Sequence, residues 1–166
     1  ILGAASVVID VNDGASPRRI VFSGDIGGPG HPIVRDPTPP PRADYVVMET
    51  TYGARLPRGL QASVEELWQA VQATFARGGN AIIPTFALER SQEVLYFLRE
   101  GVKRGRLPPN TPVFLDSPMA ISATEIMRRH PECYDDATRR ALQEGDPFAP
   151  PGLRYARAPV DSTALN

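Results

Sequence analysis

The spacing of apolar positions changes character along this chain. Residues 5–11 are rich in Val and Ile and alternate in part, which predicts a strand. Asn12-Asp13-Gly14 follows as a turn signal, and residues 18–23 read as the returning strand of a hairpin. Residues 24–41 are dense in Gly and Pro without periodicity and read as a loop, its proline-rich end at 37–41 a rigid connector. Residues 44–49 enclose the apolar run Tyr45, Val46, Val47, Met48, which fits a short buried strand.

After Gly53 helical spacing takes over. Val64, Leu67, Trp68, Val71 and Phe75 predict a helix over 63–77, with Ser63 as N-cap and Gly78-Gly79 as its end. The pattern then predicts a strand over 80–86, a helix over 91–104, a strand over 112–115, helices over 118–129 and 135–144, and a strand over 153–156. Strands alternating with helices imply βαβ units and a parallel sheet. The expected fold class is α/β: an antiparallel β piece to about residue 53, then an α/β domain with a mainly parallel sheet.

Composition narrows the setting. Hydrophobic residues make up 42% of 166, enough for a packed core, which excludes a disordered chain. A formal net charge of -1 argues against a uniformly basic coat for nucleic acid, but not against a local basic cleft. Lys103 is the only lysine among 18 basic residues. Arginine suits bidentate phosphate contacts, although genome base composition gives the same bias. Cys133 is the only cysteine, so no intrachain disulfide forms, and a reducing cytoplasm is expected. No apolar run approaches the roughly 18 residues of a membrane span. Residue 1 is Ile, and a helix start at Asp161-Ser162-Thr163 comes just before Asn166, so an internal piece of a longer protein is expected.

Two segments carry candidate chemistry. In Phe22-Ser23-Gly24-Asp25-Ile26-Gly27 a strand runs into a carboxylate flanked by glycines, an arrangement that also serves plain turns. In Val47-Met48-Glu49-Thr50-Thr51-Tyr52-Gly53 an apolar strand again ends in an acid, which packing alone explains poorly. Two later loops open helices: Thr85 to Ser91, where Arg90 stands beside an electropositive helix end, and Asp116-Ser117-Pro118, which reads first as a helix cap. Arg90 and Ser117 are the candidate phosphate contacts. An exposed Arg90–Glu pair would contribute only about 0–1 kcal/mol to stability.

Taken in order, Ile1-Leu2-Gly3-Ala4-Ala5, the Ser23-Gly24-Asp25 run, Glu49-Thr50-Thr51-Tyr52-Gly53, Pro84-Thr85-Phe86-Ala87-Leu88-Glu89-Arg90-Ser91-Gln92-Glu93 and Leu115-Asp116-Ser117-Pro118-Met119-Ala120 resemble the β-CASP branch of the metallo-β-lactamase superfamily. The resemblance covers essentially the whole chain. It implies a partial metallo-β-lactamase domain over 1–53 and a partial β-CASP domain over 54–166. It implies a hydrolase of RNA phosphodiester bonds using two zinc ions, with Asp25 as the bridging ligand. Glu49 would be the acid that orients a histidine near the metals. A carboxylate can bridge two metals, and an acid behind a ligand fixes an imidazole's tautomer. A non-catalytic scaffold of an RNA-processing complex and a DNA-cutting relative are the alternatives, and a homodimer is left open.

Departures from the family pattern matter as much. Its His-x-His-x-Asp-His run, the histidine that comes just before the Ile-Leu-Gly segment, and its two later histidines are not in this chain. His31 and His130 match none of these positions and read as surface residues. Ala54-Arg55-Leu56-Pro57 offers no histidine where other members carry one. The chain by itself is therefore expected to hold an incomplete metal site, to bind zinc weakly and to lack nuclease activity.

Overall fold

A computed structural model describes residues 1–14, 16–54 and 58–165. The hairpin forms as expected: β1 (Val7–Val11) pairs antiparallel with β2 (Arg18–Phe22), Val7 opposite Phe22 and Val11 opposite Arg18. Gly14, at φ +85°, supplies the left-handed turn, and its N–H donates to Asn12 Oδ1. Opposed on the ladder, Asp10 and Arg19 form a bidentate pair at 2.7 and 2.9 Å. β3 (Tyr45–Val47) then adds to the other edge of β2 in parallel, giving the order β1-β2-β3. The parallel step needs a long crossover, and the Gly/Pro loop supplies it.

β3 is not the buried strand that its apolar run predicts. Val46 and Met48 are about three-fifths exposed, at 61% and 60%. Val7, Val8 and Ile9 on β1 are also exposed, on both faces of the ladder. Burial is set by what packs on a strand. Apolar residues on both faces read as a sheet meant to be covered twice, and no described element covers this one.

The second half is layered on helices. α1 (Leu60–Ala76) and α2 (Arg90–Lys103) enclose a core of Val64, Trp68, Val71, Leu98 and Leu107. Trp68 Nε1 donates to the Phe97 carbonyl at 2.8 Å, and Gly101 lets the indole lie close, since a Cβ there would sit 2.6 Å from Nε1. α1 begins a turn before the expected start: Gly59 stands at its N-cap, and the Ser63 hydroxyl folds back to the Gly59 carbonyl. β4 (Val113–Leu115) and β5 (Leu153–Tyr155) form a parallel pair. Around them lie α3 (Pro118–Arg128), a 3-10 turn (Pro131–Cys133), α4 (Asp136–Gln143) and α5 (Pro159–Thr163). Residues 80–86, expected as a strand, pair with no strand among the described residues, and Ile82 is 88% exposed. No helix among the described residues is long and apolar enough to cross a membrane.

The Gly/Pro loop reaches from the first half into the core of the second. Ile33 is fully buried in a cluster with Leu95, Met127, Tyr134 and Phe148. Its φ is +79°, a left-handed conformation that costs a β-branched residue energy, held by the Val34 N–H to Pro32 carbonyl bond. The flanking backbone is tied down as well: the Asp135 N–H donates to the Ile33 carbonyl and the Arg35 N–H to the Cys133 carbonyl.

Candidate active site

The parallel pairing of β2 with β3 decides where the two acids stand. Their last ladder pair is Phe22 with Val47, so Ser23-Gly24-Asp25 and Met48-Glu49 leave the sheet side by side at the carboxyl ends of adjacent parallel strands. Open α/β sheets bind ligands at that edge. The Ser23 N–H extends the ladder by one bond to the Val47 carbonyl at 2.9 Å. Beyond it Gly24 turns at φ +55°, and a Cβ there would overlap the Ala5 carbonyl oxygen. Asp25 follows this bend with an exposed carboxylate that accepts no hydrogen bond among the described residues. Glu49 is exposed too, and its Oε2 accepts the Thr51 N–H at 2.8 Å. The Thr51 backbone and then its hydroxyl hold the Glu49 carboxyl below its usual range, and it stays ionised.

Arg90 and Ser117 lie at the starts of α2 and α3. Ser117 caps α3: its hydroxyl accepts the Ala120 N–H at 3.2 Å, with Pro118 in the first turn. Fully buried Gln92 joins the first of these loops to the helix that follows the second. Its Nε2 donates to the Ala87 carbonyl at 3.0 Å and to Thr124 Oγ1 on α3 at 2.8 Å. Sequence reasoning missed this link, although an amide on the inward face of an amphipathic helix was its signal. Just before Arg90, Glu89 sits at φ +67°, with the Arg90 N–H on the Leu88 carbonyl. The structure thus sets the strand ends that carry Asp25 and Glu49 side by side, and ties the Arg90 loop to α3 through Gln92. No side-chain hydrogen bond among the described residues joins one pair to the other.

Arg90 is more than a surface residue. Its Nη1 donates to Glu93 Oε2 at 2.6 Å, and Glu93 is only 6% exposed while Arg90 is 60% exposed. Burial pushes the Glu93 carboxyl up, and the Arg90 charge partly offsets that. Arg90→Ala therefore destabilises more than an exposed pair implies: about 1–3 kcal/mol at neutral pH, short of the 3–5 kcal/mol of a fully buried pair because the guanidinium is hydrated. The pH dependence has a definite sign. Without Arg90 the buried carboxyl's pKa rises further above its unfolded value. The deficit is then full while Glu93 is ionised in both proteins, and shrinks as pH falls through the raised pKa and the folded state takes up the proton. Urea unfolding at pH 7.5 and at pH 5 measures it.

The histidines stand apart from the acids. His130 Nδ1 pairs with exposed Glu132 at 2.8 Å, and His31 is exposed in the loop before Ile33. Among the described residues no group of three His, Cys, Asp or Glu is placed to hold a metal ion. Asp25 offers one free carboxylate, a fit for one ligand of a metal centre but not for a closed coordination shell. Residues 55–57, within the segment where the sequence lacks the expected histidine, lie outside the described residues.

Residues 91–166 match the model of the Beta-Casp domain. The chain is 37% identical over 150 residues to Ribonuclease TTHA0252 of Thermus thermophilus, an alignment covering 90% of this chain and 34% of that protein. It is 37% identical over 168 residues to Transcription termination factor FttA of Methanosarcina mazei, covering 98% of this chain and 25% of that protein. With Cleavage and polyadenylation specificity factor 73 of Drosophila melanogaster it shares 26% over 149 residues, 89% of this chain and 21% of that protein. The chain thus spans about a third or less of the length of these relatives.

Proposed function

The chain belongs to the β-CASP branch of the metallo-β-lactamase superfamily, and from that premise we propose that it is a segment of a metal-dependent nuclease that cleaves RNA phosphodiester bonds. The observation that carries this reading is the juxtaposition of Asp25 and Glu49 at the ends of adjacent parallel strands. The exposed Asp25 carboxylate accepts no hydrogen bond among the described residues, which a purely structural role leaves unexplained. The names of the relatives, a ribonuclease and a cleavage factor among them, support RNA as the substrate class. In this reading residues 1–53 contribute to the metal-bearing domain and 54–166 to the β-CASP domain. In this reading the protein works in the cytoplasm, where Cys133, the one cysteine of this chain, stays reduced.

Each residue has a role. Asp25 would be a ligand of the metal, which we take to be zinc, with the other ligands supplied by parts of the protein outside this chain. Glu49, held ionised, would accept a hydrogen bond from a metal-ligating group and fix its orientation. Arg90 keeps one face of its guanidinium on Glu93 and turns the rest toward solvent, where a phosphate can meet it. Ser117 stands at the start of α3, whose electropositive end would attract a phosphate of the bound strand. The test uses the full-length protein and end-labelled single strands of one sequence, as RNA and as DNA. The expected result is cleavage of RNA with DNA left whole. Cleavage of DNA alone would move the protein to the DNA-cutting relatives, and cleavage of neither would leave the scaffold reading.

A further inference from the structure

We propose that Ser23 is a positioning residue whose hydroxyl locks the strand end bearing Asp25 to the strand end bearing Glu49; the assignment rests on the nuclease reading above. Ser23 is 6% exposed and is bonded through every polar atom it has. Its N–H donates to the Val47 carbonyl at 2.9 Å, and its carbonyl accepts the Ser6 hydroxyl at 3.0 Å. Its own Oγ donates to the Gly24 carbonyl at 2.8 Å and accepts the Glu49 N–H at 3.3 Å. A hydroxyl has one hydrogen to give, and here that hydrogen is committed to Gly24. Both bonds of the Ser23 hydroxyl thus go to backbone, which fits a holding role.

The geometry explains why a side chain is needed at this point. The regular β2–β3 ladder ends at Phe22 and Val47, because Gly24 bends the first chain away. Two residues beyond Val47, the Glu49 N–H meets the Ser23 hydroxyl in place of a ladder carbonyl. The Ser23 hydroxyl takes the place of the missing rung: it ties the backbone of Glu49 on one side and the bend that aims Asp25 on the other. A hydroxyl-free residue leaves the Glu49 N–H without its partner and lets the two acids move independently. A misplacement of about 1 Å at reacting groups costs roughly 100-fold in rate.

Steady-state cleavage of labelled RNA by the full-length protein tests this with Ser23→Ala, Ser23→Thr and, as a control, Asp25→Ala. Ser23→Ala is expected to lower kcat by about 10–100-fold with KM within about twofold, and Ser23→Thr to restore most of it. A second readout is independent of turnover: hydrogen exchange of the Glu49 amide should speed up in Ser23→Ala and return to normal in Ser23→Thr. A wild-type kcat in Ser23→Ala, or a loss that Thr does not rescue while exchange is unchanged, overturns the assignment. If Ser23→Ala does not fold, Ser23→Cys takes its place. Its thiol fills the space but bonds weakly, so the same kcat loss is expected and normal turnover contradicts the proposal. The control separates the two levels of inference. A dead Asp25→Ala beside a normal Ser23→Ala refutes only the role of Ser23. Two fully active variants refute the nuclease reading of the site itself.

Discussion

Asp25→Ala in the full-length protein is expected to abolish RNA cleavage while leaving the fold intact. The fold should survive because the carboxylate is exposed and holds nothing else among the described residues. Activity should not, because a metal in such a site lowers the barrier by several kcal/mol. At 1.36 kcal/mol for each factor of ten, its loss amounts to roughly 10³-fold or more. Circular dichroism and thermal melting check the first half, single-turnover cleavage with metal analysis the second. A variant that kept near-normal cleavage and full metal content would remove Asp25 from the site.

Gly24→Ala is expected to fail for a different reason. Its φ of +55° lies in the left-handed region, where a Cβ costs about 1–2 kcal/mol. The new methyl would also overlap the Ala5 carbonyl oxygen, which is backbone and cannot swing aside. Overpacking of this kind costs about 1–3 kcal/mol. Together they predict a loss of about 2–5 kcal/mol by denaturant unfolding. Cleavage should fall further than the folded fraction does, because the same bend aims Asp25. An unchanged unfolding midpoint would mean that the strand end relaxes freely, against the tight Ser23–Gly24–Asp25 turn described above.

What the sequence shows of this molecule follows from how local each signal is. The β1–β2 hairpin was legible because Asn12-Asp13-Gly14 states the turn and the strands flank it. α3 was legible because Ser117 and Pro118 write cap and first turn next to each other, and the Ser117 hydroxyl does accept the Ala120 N–H. Asp25 and Glu49 were legible as strand-end acids, since the apolar run before each marks the strand. Burial was not: Val46 reads as a core residue, but its exposure depends on partners far away in sequence or absent from it. For the same reason residues 80–86, which have β-forming composition, form no ladder among the described residues. Ile33 was beyond local reasoning, because no propensity places an isoleucine at φ +79° and only the core around it makes that conformation worth holding. Arg90 was half legible. Its loop was found, but the burial of its partner Glu93, which turns a weak surface pair into a structural one, belongs to the packing of α2.

The central claim is that this chain is part of a metal-dependent ribonuclease. Cleavage of labelled RNA by the full-length protein, stripped of metal by a chelator and then supplied with zinc in steps, tests it most directly. The stripped protein is expected to leave RNA whole and to recover cleavage that saturates as zinc is added, with the Asp25→Ala protein failing to recover. Cleavage that persists undiminished after stripping, or RNA left whole by the protein replete with zinc, would contradict it.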